Sequence, residues 1–196
     1  MSLDRIAESD QFDFSHVLNN NDDNGPELSL MNTDNCNYYS PDKFKELTQG
    51  SDYISIFGLN CQSINAHWDG LYDLLCDLNS KSHKFDFIGL TEIFRIQQLS
   101  NYHIEGYHPI LYKCRSEADN SRGGIALYIN ENMNYSIRDD LSIFVPHVYE
   151  SIFVEVHTKF DKPFIVGVIY RPPTPPLADM DAFSDVCVNA VNTINN

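Results

Sequence analysis

From residue 53 onward the sequence predicts a mixed α/β fold, a sandwich of two mixed sheets flanked by helices, and three observations predict it. Short runs rich in β-branched and aromatic residues recur at 53–59, 85–90, 123–129, 151–157 and 164–170. A segment with apolar residues at helical spacing separates the first two runs, and a second such segment follows the last. The order is therefore strand, helix, strand, then a series of strands, then a helix.

YISIFGL (53–59) has the composition of a strand. Trp68, Leu71, Leu75 and Leu78 recur at i, i+3, i+7 and i+10, one face of a helix. FDFIGL (85–90) is nearly continuous and apolar, which suits a strand buried on both faces. GGIALYI (123–129) alternates after its two glycines. SIFVEVH (151–157) sets Ile152, Val154 and Val156 against Phe153, Glu155 and His157 on opposite faces. FIVGVIY (164–170) is another dense strand, and KFDKP (159–163) has the composition of a hairpin turn between the two. RPPTPP (171–176) is stiff and ends the strand. Leu177, Met180, Phe183, Val186, Ala190 and Ile194 then repeat at helical spacing. This last helix has no following strand to pack beside, so the fold is expected to be incomplete at its C-terminal side.

Upstream, residues 1–52 read as an acidic, mostly disordered leader with 11 acidic and 3 basic side chains, including NNNDDN at 19–24. A short helix is expected at 41–48, with Pro41 in its first turn and Phe44 and Leu47 on one face. Such an acidic segment suits a basic protein partner. The whole chain carries a formal charge of −15, which argues against general nucleic-acid binding and leaves room only for a local basic rim. Lys113, Arg115 and Arg122 fall in one expected loop region that could supply it. No apolar run nears the roughly 20 residues of a membrane span, and the N-terminus lacks the pattern of a secretory signal. Cys36, Cys61, Cys76, Cys114 and Cys187 have no zinc-type spacing, so they read as free thiols of an intracellular protein, nuclear or cytoplasmic.

Polar groups close three of the predicted strands: Asn60, Glu92 and the pair Tyr170-Arg171. Ligands gather at the carboxyl ends of strands in open α/β sheets. A carboxylate there can hold a hard cation, an Asn can orient it, and Tyr and Arg can contact phosphate. The same residues also have ordinary structural uses: Asn60 in a turn, Glu92 at a helix start, Tyr170 as a half-buried ring.

The stretches LNCQSINAHWDGLYDLL (59–75) and FDFIGLTE (85–92) carry a resemblance. They are followed in order by EGYHPI (105–110), SRGGIALYI (121–129), ESIFVEV (150–156) and VGVIYRPP (166–173). Together these resemble the front part of an endonuclease/exonuclease/phosphatase domain, in the branch found in non-LTR (LINE-type) retrotransposon proteins, over about residues 53–194.

The resemblance implies a fold of that class and Mg²⁺- or Mn²⁺-dependent hydrolysis of a phosphodiester bond in DNA. It implies that Glu92 binds the metal, that Asn60 supports the metal and phosphate, that Tyr170 acts at the scissile phosphate, and that Arg171 contacts phosphate. The family's Gly-Asp-Phe-Asn and Ser-Asp-His segments have no counterpart here, and Ile93-Phe94 stands where relatives often have an aromatic or Trp. None of His67, His83, His103, His108, His147 or His157 sits in the family's histidine motif. The chain alone is therefore expected to be inactive and poorly stable. Two other readings stay open: a non-catalytic remnant acting as an acidic interaction protein, and a phosphatase or phosphodiesterase of the same fold.

Overall fold

Segments with period-two alternation form strands and those with 3.6-residue spacing form helices. The structure, a computed structural model, describes residues 43–44, 54–80, 83–115, 122–145, 148–157, 162–172 and 177–194. In chain order the first half holds β1 (Ile56–Asn60), α1 (Ile64–Ser80), β2 (Phe87–Thr91), a 3₁₀ turn (Leu99–Tyr102), β3 (Leu111–Lys113) and β4 (Ile125–Ile129). The second half holds β5 (Asn134–Ile137), β6 (Phe144–Val145), β7 (Tyr149–His157), β8 (Phe164–Tyr170) and α2 (Leu177–Ile194).

The fold is α+β, with two four-stranded sheets and two helices. The first sheet runs β1-β2-β4-β3, with β1 and β2 parallel and the other pairs antiparallel. In the second, β7 is central; β5 and β6 pair along one side of it and β8 along the other, all antiparallel. The parallel pair needs a crossover, and α1 supplies it.

Two cores follow from the strand periodicity. On one face of the first sheet, Ile88, Leu90, Ala126 and Tyr128 pack against Ile64, Leu71, Leu75 and Leu78 of α1, with Trp68 at the margin. On the other face, Phe87, Ile125, Leu127 and Ile129 meet Ile152, Val154, Val156 and Val166 of the second sheet. Thus β2 is buried on both faces, as its unbroken apolar run predicts. The sheets close tightly there: a Cβ added at Gly89 would lie 2.8 Å from the Val168 side chain.

Strand β1 lies at the edge. Ile56 and Gly58 pair in register with Phe87 and Gly89, so they share the face turned toward the second sheet. They are nevertheless exposed, Ile56 at 61 %. Among the described residues, the second sheet's main contacts with the first are with β2, β3 and β4.

Several expectations are refined. The predicted strand at 123–129 starts only at Ile125, because Gly123 and Gly124 have φ of 111° and 83° and form a turn. β3, β5 and β6 were not expected; they have 3, 4 and 2 residues, too short to show a period. Of the helix expected at 41–48, Lys43 and Phe44 are described and helical. Phe44 stacks near Phe85, at 6.4 Å between ring centroids, and near His83 at 5.6 Å. The rest of the leader, residues 159–161 of the hairpin turn and residues 173–176 of the proline segment lie outside the described residues. On α2, Phe183 packs edge-on to Tyr149, while Val188, Val191 and Ile194 are exposed.

The packing sets an expected stability pattern. Leu75→Ala, under α1, is expected to cost about 2–5 kcal/mol, whereas Ile56→Ala on the exposed edge should stay within about 0.5 kcal/mol. Urea unfolding of both variants checks the difference.

Candidate functional site

The site begins where β1 and β2 end side by side. Asn60 pairs in register with Thr91, so Glu92 follows one residue beyond that pair. The Asn60 side chain is exposed, and its Oδ1 accepts from the Gln62 amide at 3.3 Å. The chain then turns through Gln62 and Ser63, at φ of 43° and 97°, into α1. Three backbone bonds stitch this turn to the end of β2: Cys61 N–H to Thr91 O (3.0 Å), Ser63 N–H to Glu92 O (2.8 Å) and Ile64 N–H to Ile93 O (3.1 Å). The Cys61 thiol is sealed beneath them, and its burial pushes it up to about 12.

Glu92 has φ of 53° and Phe94 58°, left-handed values that cost a non-glycine residue about 1–3 kcal/mol each. Such geometry persists only where neighbours impose it. On the side opposite the α1 turn, Ile93 N–H donates to Gly124 O at 3.2 Å and Phe94 N–H to Gly123 O at 2.8 Å. A Cβ at Gly124 would lie 2.9 Å from the Ile93 side chain, so this close approach needs a glycine. Glu92 is thus clamped between two turns, and its half-buried carboxylate sits at the mouth between the sheets.

Tyr170 reaches it from the end of β8, on the other sheet. Its hydroxyl donates to Glu92 Oε1 at 2.8 Å, across 78 residues of sequence. Among the described residues, nothing else hydrogen-bonds the Glu92 carboxylate. Burial chiefly, then the hydrogen bond to Glu92 and its negative charge, pushes the Tyr170 hydroxyl up to about 12.

Behind this pair lies a buried ion pair. Glu150 is fully buried and pairs in register with Tyr170 across β7 and β8. Arg115 gives Glu150 Oε1 both its Nε–H and an Nη2–H, each at 2.7 Å. The Gly124 N–H donates to Glu150 Oε2 at 2.6 Å.

Of the four residues singled out from sequence, Glu92 and Tyr170 are in direct contact, and Asn60 stands at the neighbouring strand end. Arg171 is exposed and lies with its guanidinium 5.6 Å from the centre of the Phe183 ring, a cation–π arrangement. The expected basic loop at 113–122 is corrected. Lys113 is on β3, its Nζ donates to Ser142 O at 2.7 Å, and burial lowers its pKa. Arg115 is buried in the ion pair, and Arg122 is exposed. Only Arg122 therefore stands at the surface as that reading requires. His108 meets Met133 O and His157 meets Ser136 Oγ, both away from Glu92.

The sequence suggested no supporting role for Glu150, Gly123 or Gly124, and it placed Arg115 in a surface rim instead of this ion pair. One signal was present: Glu150 shares the strand face of Ile152, Val154 and Val156, where a carboxylate must find partners.

Among the described residues, no cluster of three or more His, Cys, Asp or Glu side chains could hold a metal. No helix described is long and apolar enough to cross a membrane. In comparisons with known proteins, no family model, no curated protein and no solved structure matches this chain.

The Tyr170 shift has a defined pH signature. Its folded value, about 12, exceeds the ordinary 10.0. The protonated hydroxyl therefore contributes stability that is fully present below about pH 10 and lost as pH rises through about 12. Tyr170→Phe is expected to remove this part of the alkaline destabilisation, as read by unfolding midpoints across that range; an unchanged profile would contradict the raised Tyr170 value.

Proposed function

We propose that this chain carries a divalent-metal-dependent site for phosphodiester hydrolysis of the DNA endonuclease kind, centred on Glu92 and Tyr170. The observation that carries the reading is their 2.8 Å hydrogen bond. It joins a carboxylate and a phenol from the ends of strands in two different sheets, with Asn60 at the adjoining strand end. The resemblance to endonuclease/exonuclease/phosphatase domains of LINE-type retrotransposon proteins supports the same residues in the same roles.

The oxygen donors suit a hard cation. Mg²⁺ is commonly held by one or two carboxylates together with waters and substrate phosphate. Glu92 would hold Mg²⁺ or Mn²⁺, with Asn60 supporting it. When bound, the ion would stabilise the charge that builds on the phosphate. Tyr170 stays a neutral O–H donor well above neutral pH, so on turning its hydroxyl away from Glu92 it can donate a hydrogen bond to a phosphate oxygen without repelling the anion. Arg171 would contribute a cation at the rim by leaving the Phe183 ring.

A single carboxylate binds Mg²⁺ weakly, and among the described residues no group of three or more His, Cys, Asp or Glu side chains surrounds Glu92 to complete a metal site. The chain alone should therefore turn over slowly or not at all. A second reading, a non-catalytic acidic interaction protein, is favoured by one observation. Lys113 and Arg115 are engaged inside the fold, which leaves a thin basic rim for DNA.

Terbium is a suitable probe, because a tyrosine beside a bound Tb³⁺ sensitises its emission. Titration is expected to give emission that Mg²⁺ displaces and that Glu92→Gln abolishes. Parallel assays of supercoiled plasmid with Mg²⁺ or Mn²⁺ should give slow nicking at most, and none in Glu92→Ala. Absence of Tb³⁺ binding, or binding indifferent to Glu92→Gln, contradicts the metal site. Tb³⁺ binding that Glu92→Gln abolishes, without nicking, supports the metal site in a chain that does not turn over alone.

A further inference from the structure

We infer that Arg115 and Glu150 are positioning residues for the Glu92–Tyr170 site, an inference that rests on the reading of that site as a metal and phosphate centre. A buried ion pair is a poor means of adding stability, because a well-packed apolar pair often serves as well. Its value lies in fixing directions, and here the directions converge on Glu92.

The connection is continuous. Arg115 locks Glu150 through Nε–H and Nη2–H, each at 2.7 Å. The other oxygen of Glu150 takes the Gly124 N–H at 2.6 Å. The carbonyls of Gly124 and Gly123 then accept from Ile93 (3.2 Å) and Phe94 (2.8 Å), the two residues after Glu92. The Arg115 guanidinium also fills the space that a side chain at Gly123 would occupy. On its own strand, Glu150 is the cross-strand partner of Tyr170. One carboxylate therefore governs both partners of the Glu92–Tyr170 bond: the turn that holds Glu92 at φ of 53°, and the strand that delivers Tyr170. Glu150 touches neither Glu92 nor a reacting atom, so it acts through other residues.

The test uses the intact chain with Glu150→Gln and Arg115→Lys. Gln keeps a single acceptor oxygen and cannot serve both Arg115 and Gly124. Lys keeps the charge but loses the paired N–H geometry. Leu78→Ala, in the core beneath α1, serves as a generally destabilised control.

Two readouts are made. Amide hydrogen exchange by NMR is expected to speed up roughly tenfold at Ile93 and Phe94 in Glu150→Gln, with Ile88 and Leu90 close to the parent. Tb³⁺ affinity is expected to fall roughly tenfold, as when the support of a ligand is removed. Arg115→Lys should move both readouts the same way by less, and Leu78→Ala should produce neither local change. Unaltered protection of Ile93 and Phe94 in either folded variant overturns the inference, as does unaltered Tb³⁺ affinity. If Glu150→Gln does not fold, Arg115→Lys decides. If the parent chain binds no Tb³⁺ at Glu92, the functional reading falls, while amide exchange still decides the positioning role.

Discussion

Glu150 imposes the constraint on which the site depends. It lies on the inward face of β7, where alternation brings Ile152, Val154 and Val156 into the core between the sheets. A carboxylate in that dry gap must be paired and hydrogen-bonded, or the fold loses several kcal/mol, on the order of 3–5 for an orphaned buried charge. Arg115 and the Gly124 amide meet this demand from the connection between β3 and β4 of the opposite sheet. The ion pair is therefore a bridge between sheets as well as a neutralised charge. It fixes how the Gly123–Gly124 turn sits over the end of β2.

Strain at Glu92 follows from that bridge. Left-handed backbone at Glu92 and again at Phe94 is unfavourable for residues with a Cβ. It holds because the α1 turn grips one side and the glycine turn the other. The result sets the carboxylate where β8 delivers Tyr170 from the second sheet. Strained, over-determined residues of this kind concentrate at functional sites. The inference from strain to function is supported here by the residue type, since a half-buried carboxylate held by a phenol is suited to binding a hard cation.

Much of the framework was legible in the sequence because burial writes itself into periodicity. Leu71, Leu75 and Leu78 are buried on one helix face, and β2 is buried on both faces, as their spacing indicated. On β7, Ile152, Val154 and Val156 share the core face as the alternation indicated, but Ser151 and Phe153 on the opposite face are buried too, so the alternation shows only toward the end of the strand. The short strands β3, β5 and β6 left no such trace, because two to four residues cannot display a period. The site was legible in part. Asn60, Glu92 and Tyr170 stand out as polar groups closing apolar strands, a local property. The partners of Arg115 depend on a contact 35 residues away, which no local pattern encodes. A basic residue in an expected loop reads as a surface cation until the fold turns it inward. The pairing of Arg171 with Phe183 is likewise a tertiary contact, between the end of β8 and α2.

The central claim is that Glu92 and Tyr170 form one coupled unit across the two sheets. A double-mutant cycle of Glu92→Gln and Tyr170→Phe, read by urea unfolding at neutral pH, tests it most directly. The account predicts that the two losses are not additive, with a coupling of about 1–3 kcal/mol, as for a part-buried hydrogen bond to a charged group. Losses that simply add would mean that the two side chains do not meet in solution, and the site built on their contact would fall with it.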